Sequence, residues 1–193
     1  MRFNPRLLAL MAALTALFVV PSVSHAATKK CAKDGVCFTK TFKGANITIH
    51  VTGTPNNDKI VVSNITAFGN NSLPTVGING VNTGVSSTHN AVLDIQALAG
   101  DDQVSMPTMS GTNGFRLYGS ATLDGGLGND TLTAANQADT LIGGAGQDVL
   151  DGAAGNDKLF AADGEADVLH GGLGTDAAQS DTFDLLDAVE AAL

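Results

Sequence analysis

Tryptophan is absent from the 193 residues, tyrosine occurs once, and aromatics make up only 5 %. So few large rings, beside 23 glycines, argue against an ordinary compact core and favour a thin, turn-rich, repetitive body. Positive charge is scarce as well: 10 Lys and Arg stand against 19 Asp and Glu, a net charge of −9. A nucleic-acid binder needs Lys and Arg to neutralise phosphates, so that class is excluded. Long apolar runs are missing too. The longest, Leu7 to Val20, has 14 residues, short of the ~20 that a spanning helix requires. The apolar share, 44 %, is still too high for a disordered acidic chain.

That apolar run reads as part of an address rather than of the fold. Arg2 and Arg6 supply a positive start, Pro21 breaks the run, and Ser24-His25-Ala26 places small residues for cleavage after Ala26. Residues 1–26 are therefore expected to be a secretory signal peptide, with a membrane anchor as the alternative that its length disfavours. The mature chain is expected to be exported, to the medium, the periplasm or the cell surface, with no membrane span. It keeps eight basic and nineteen acidic residues, a net charge of −11. Residues 27–96 carry six Lys and three Asp, whereas residues 97–193 carry Arg116 and Lys158 against sixteen acids. A segment of net charge −14 repels itself unless something positive lies inside it.

Cys31 and Cys37 are the only cysteines and flank an Asp34-Gly35 turn. In an exported chain this pair is expected to form a local disulfide within an N-terminal segment, residues 27–44. Closing so short a loop contributes about 2 kcal/mol at best. The spacing does not suit a C-x-x-C redox or zinc pair.

From Gly125 onward the sequence repeats every nine residues. Gly125-Gly126-Leu127-Gly128-Asn129-Asp130-Thr131-Leu132-Thr133 is the clearest copy. The unit from Ala134 to Ile142 has lost its glycines but keeps Asp139 and Leu141 in place. Gly143 to Asp151 and Gly152 to Phe160 restore the pattern, Ala161 to His170 has ten residues, and Gly171 to Asp176 is the last copy. An acid thus recurs at 130, 139, 148, 157, 167 and 176, and an apolar residue follows two later at 132, 141, 150, 159 and 169. Six Gly-rich residues ending in Asp make a turn, and the next three make a very short strand with its apolar residue inward. Two units complete one turn of a flattened solenoid. Loops two units apart then stack, putting Asp130, Asp148 and Asp167 on one edge and Asp139, Asp157 and Asp176 on the other.

This pattern resembles the hemolysin-type (RTX) calcium-binding nonapeptide, G-G-x-G-x-D-x-U-x, a parallel β-helix unit. The resemblance is strong over residues 125–176. It implies an all-β parallel β-solenoid, a β-roll, with Ca2+ held between successive loops by carboxylates and loop carbonyls. The residues it assigns to metal are Gly126, Gly128, Asp130, Asp139, Gly144, Gly146, Asp148, Gly155, Asp157, Asp167, Gly172, Gly174 and Asp176. Three loops per edge leave two gaps per edge, up to four sites. The gaps 130/148 and 157/176, with glycines kept in both loops, are expected to bind best; gaps using the loops ending at Asp139 or Asp167 are expected to be weaker. Stacked carboxylates at the ~4.8 Å strand spacing repel strongly without cations. Calcium suits them because it accepts six to eight oxygens in flexible geometry, while magnesium demands a rigid octahedron and zinc prefers Cys and His. Asp as a plain turn cap is the alternative.

Residues 45–124 are expected to form irregular solenoid turns or a β-cap. Gly53 to Val61 and Ala97 to Val104 keep the Asp-x-apolar offset around Asp58 and Asp102, with no nine-residue register between them, so whether Asp58 or Asp102 holds calcium is left open by the spacing. Residues 125–179 are the calcium-binding roll. In residues 180–193, apolar positions at 185, 186, 189 and 193 predict a short helical cap begun by Ser180 or Asp181.

No catalytic constellation emerges. His25, His50, His89 and His170 lie outside any H-E-x-x-H, and no G-x-S-x-G occurs. The expected function is a secreted, non-enzymatic calcium-binding β-roll whose folding depends on Ca2+. The alternatives are a calcium-stiffened adhesion or surface-layer scaffold, and a solenoid polysaccharide lyase using Arg116 and Tyr118 near Asp101 and Asp102. No protein or polysaccharide partner is indicated.

Overall fold

In the computed structural model, the described residues are 29–43, 46–65, 75–86, 91–106 and 119–193. Residues 1–26, read as a signal peptide, and the Arg116–Tyr118 pair lie outside them. Every regular element is a strand; no helix occurs among the described residues. From Asn46 the chain steps alternately between a nine-stranded and an eight-stranded sheet, and neighbouring rungs are mostly parallel. The result is a parallel β-roll.

The three-residue strands hold together because each places one apolar side chain inward on a ladder. In the first sheet Val51, Ile95, Leu123, Leu141, Leu159 and Ala178 stand in register. In the second, Ile60, Val104, Leu132, Leu150 and Leu169 do the same. All are buried. The two ladders face each other across a thin core: each three-residue strand sends one apolar side chain into it, while the longer strands Asn46–Thr52 and Ala91–Ala99 send several.

The first sheet begins with antiparallel strands, Lys30–Cys31 and Cys37–Lys43, and Cys37–Lys43 pairs antiparallel with Asn46–Thr52. Cys31 and Cys37 are joined by a disulfide. On the second sheet, Thr75–Ile78 and Val81–Ser86 form an antiparallel hairpin beside Lys59–Ile65. Antiparallel strands thus close one end of both sheets, where a parallel edge would otherwise invite further pairing.

The expected C-terminal helical cap is absent. Leu185–Asp187 and Ala191–Ala192 are strands instead, adding a last rung to each sheet. The signal was present: Asp184-Leu185-Leu186 and Glu190-Ala191-Ala192 keep the acid-x-apolar offset of the repeats. An isolated short helix is marginal in water, whereas the rung before supplies a ready row of hydrogen-bond partners for a strand.

Candidate metal centre

Each repeat turns from loop into strand at its Asp, and that residue is drawn inward with the strand that follows. The side chains of Asp102, Asp130, Asp139, Asp148, Asp157, Asp167 and Asp176 are all at most 2 % exposed. Burying a charge is costly unless it is paired or hydrogen-bonded, and half of each carboxylate is. The backbone N–H of Asp130 donates to Asp148 Oδ1 at 2.8 Å, that of Asp148 to Asp167 Oδ1 at 2.7 Å, and that of Asp167 to Asp184 Oδ1 at 3.1 Å. On the opposite edge Asp139 donates to Asp157 Oδ1 and Asp157 to Asp176 Oδ1, both at 2.7 Å, and Asp176 to Glu190 Oε2, also at 2.7 Å. The acids therefore form two columns, one per edge, each carboxylate tied to the rung before.

The other half is left over. Oδ2 of Asp102, Asp130, Asp148, Asp157, Asp167 and Asp176 is buried without a hydrogen-bond partner. Burial raises the pKa of Asp130, Asp148 and Asp167 to about 6 and of Asp157 to about 7, the neighbouring acids adding to the rise against the N–H bonds that oppose it. Asp139 is different. Its Oδ1 accepts from Ala121 N–H at 2.6 Å and its Oδ2 from Ala135 N–H at 3.3 Å, so no oxygen is spare.

The loops bring their backbones unusually close. A Cβ on Gly144 would lie 2.1 Å from the Gly126 carbonyl oxygen, and one on Gly146 2.1 Å from that of Gly128. Gly126, Gly128, Gly144, Gly146, Gly155, Gly172 and Gly174 all have positive φ, which is open to glycine at little strain. The first glycine of each loop was not among the expected site residues, yet it makes the room for the free oxygen. A Cβ on Gly125 would stand 2.2 Å from Asp130 Oδ2, and one on Gly143 2.3 Å from Asp148 Oδ2. Its signal was the doubled Gly-Gly itself.

No three His, Cys, Asp or Glu side chains gather into a metal-holding group among the described residues. A cation here would take paired carboxylates and complete its shell with loop carbonyls. An all-oxygen set of that kind suits a hard ion that tolerates high and irregular coordination. The orphaned buried oxygens fit it.

A family model described as the RTX calcium-binding nonapeptide repeat matches residues 117–148, 124–159 and 148–177. Residues 117–177 are an RTX calcium-binding repeat array. RTX nonapeptide repeats bind Ca2+, and they form the β-roll described above. No curated protein and no solved structure matches the chain. The match spans only part of the 193 residues, whereas the ladders and the first acid column run on beyond it toward Asn46.

Two residues of that column, Asp58 and Asp102, showed the Asp-x-apolar offset in the sequence but not their alignment with the repeats. Asp58 donates its N–H to Asp102 Oδ1 at 2.6 Å, and Asp102 donates to Asp130 Oδ1 at 2.7 Å. They are 44 and 28 residues apart, so no nine-residue count connects them; only the pairing of the strands that follow shows the alignment.

Proposed function

We propose that this is a secreted calcium-binding β-roll in which Ca2+ between stacked loops drives folding, without catalysis. The ligands are Asp130, Asp148 and Asp167 on one edge and Asp157 and Asp176 on the other, with carbonyls of the glycine loops; Asp139, expected among them, has both oxygens taken by backbone N–H groups. The six buried, partnerless Oδ2 atoms carry this reading. In water such atoms would be solvated; buried here, they have no hydrogen-bond partner in the protein. When bound, the cation supplies positive charge inside a segment of net charge −14, so its binding energy adds to folding energy.

The Cys31–Cys37 bond supports export, since disulfides persist in oxidising compartments. One hydrogen-bonded chain has the order of a nucleophilic relay: Thr41 Oγ1 lies 3.1 Å from His50 Nε2, and His50 Nδ1 lies 2.8 Å from Asp94 Oδ2. All three are on the outer face of the first sheet and open to water. Among the described residues, a shallow cavity on that sheet is lined by Ile142, Phe160 and Gln179, several strands from the relay. We assign the chain to pinning the N-terminal strands onto the roll.

Calorimetric titration of the metal-stripped protein tests the proposal. Saturable heat at several Ca2+ per chain, with magnesium giving far less, is expected. A protein that neither takes up Ca2+ nor changes its circular dichroism on adding it would refute the proposal.

A further inference from the structure

We infer that a divalent-cation site lies between the loop 97–102, outside the repeat match, and the loop 125–130, inside it. The inference rests on the calcium reading above and extends it to residues that lack the repeat signature.

The loop Ala97-Leu98-Ala99-Gly100-Asp101-Asp102 has one glycine, yet it repeats the geometry of the motif loops contact by contact. A Cβ on Gly126 would lie 2.1 Å from the Leu98 carbonyl oxygen, just as one on Gly144 would lie 2.1 Å from that of Gly126. A Cβ on Gly128 would lie 2.2 Å from the Gly100 oxygen, matching the 2.1 Å between Gly146 and Gly128. Asn129 N–H donates to Asp101 Oδ1 at 2.9 Å, as Gln147 N–H donates to Asn129 Oδ1 at 2.8 Å. Leu98 itself has φ +89°. Leucine is disfavoured there relative to glycine, so the stacking of the loops imposes a conformation that this residue would not choose.

Asp102 supplies the independent sign of a ligand. It is 1 % exposed, and its Oδ2 has no partner. Asp130, across the gap, also keeps a free Oδ2. A gap bounded by two such oxygens occurs at 130/148, 148/167 and 157/176, and here once more. The other gaps are closed on one side. Asp58 accepts at Oδ2 from the Thr54 N–H and at Oδ1 from the Thr54 hydroxyl at 3.0 Å; Asp184 accepts at its second oxygen from the Asp181 N–H at 2.7 Å; Asp139 is filled as described. The first column therefore accepts cations from Asp102 to Asp167 and is sealed at Asp58 by Thr54.

Two measurements on the full chain test this. Crystals grown in Ca2+ and measured for anomalous scattering should show a peak between loops 97–102 and 125–130, beside those at the repeat gaps. By calorimetry, Asp102→Asn, which keeps the acceptor for Asp58 N–H, should bind one Ca2+ fewer than the parent chain, and Asp58→Asn the same number. Peaks at 130/148 with none at 102/130 would overturn this inference alone. No peak in any gap would overturn the calcium reading and this site with it. Should Asp102→Asn fail to fold, the diffraction experiment, which needs no variant, decides.

Discussion

The amide of Asp130 donates to Oδ1 of Asp148, 2.8 Å away and eighteen residues later in the chain, while Oδ2 of Asp148 is buried with no partner. One carboxylate thus braces a rung with one oxygen and leaves the other for a ligand. Rung formation and ligand geometry are the same event, so neither is complete in the unfolded chain.

It follows that Ca2+ should raise stability by mass action. Free Ca2+ at a hundred times its dissociation constant adds about 2.7 kcal/mol per independent site. Thermal melts followed by circular dichroism, with and without chelator, should differ by many degrees, and the stripped protein should lose β signal. Magnesium should restore little of it.

Asp148→Ala should be among the most damaging single changes. It leaves the Asp130 N–H unpaired in a buried place, worth about 1–3 kcal/mol without metal, and it removes a ligand from the two gaps that Asp148 borders. Asp139→Ala orphans the N–H groups of Ala121 and Ala135, so it should lower stability too. Its loss should be nearly the same with and without Ca2+, because Asp139 has no spare oxygen. Melts of both variants in chelator and in Ca2+ separate the two effects.

Acid should partly replace calcium. An exposed Asp titrates near 3.9, but burial lifts Asp130, Asp148 and Asp167 to about 6 and Asp157 to about 7. The folded, metal-free state therefore binds protons more tightly than the unfolded one, and its stability falls as pH rises. That contribution is complete below pH ~4 and lost as pH passes through about 6 to 7. Stripped protein should melt higher at pH 5 than at pH 8, and the benefit of added Ca2+ should be larger at pH 8.

Gly144→Ala should cost more than Gly164→Ala. Both glycines have positive φ, +113° and +96°. At Gly164 nothing lies within 4 Å of the new Cβ, so the cost is backbone strain of about 1–2 kcal/mol. At Gly144 the Cβ would meet the Gly126 carbonyl oxygen at 2.1 Å, and the two loops must part. Chemical denaturation of both variants in Ca2+ should rank them in that order, with Ca2+ uptake disturbed only in Gly144→Ala.

The edges of the roll were legible from Asp130 to Asp176 because period, glycine and acid recur together there. Asp130, Asp148 and Asp167 could be placed on one edge by counting eighteen or nineteen residues. Counting failed where spacing changed: the steps of 44 and 28 to Asp102 and Asp130 concealed a column that backbone pairing restores. It also misled at the tail, where Leu185, Leu186, Val189 and Leu193 carry a helical spacing, yet the preceding rungs recruit Leu185–Asp187 and Ala191–Ala192 as strands. Leu98 was unreadable for a different cause: no local preference of leucine leads to φ +89°.

A nine-residue rhythm of glycine, acid and one inward apolar residue was enough to determine the roll and the ion that suits its oxygens. That rhythm works locally, turn by turn, and survives in composition and order alone. Which carboxylate oxygen stays free, where the columns are sealed, and that Asp102 joins the stack were decided only in three dimensions. The ties between rungs depend on which N–H of another rung reaches each oxygen, and such partners lie fourteen to forty-four residues apart, beyond any short-range pattern.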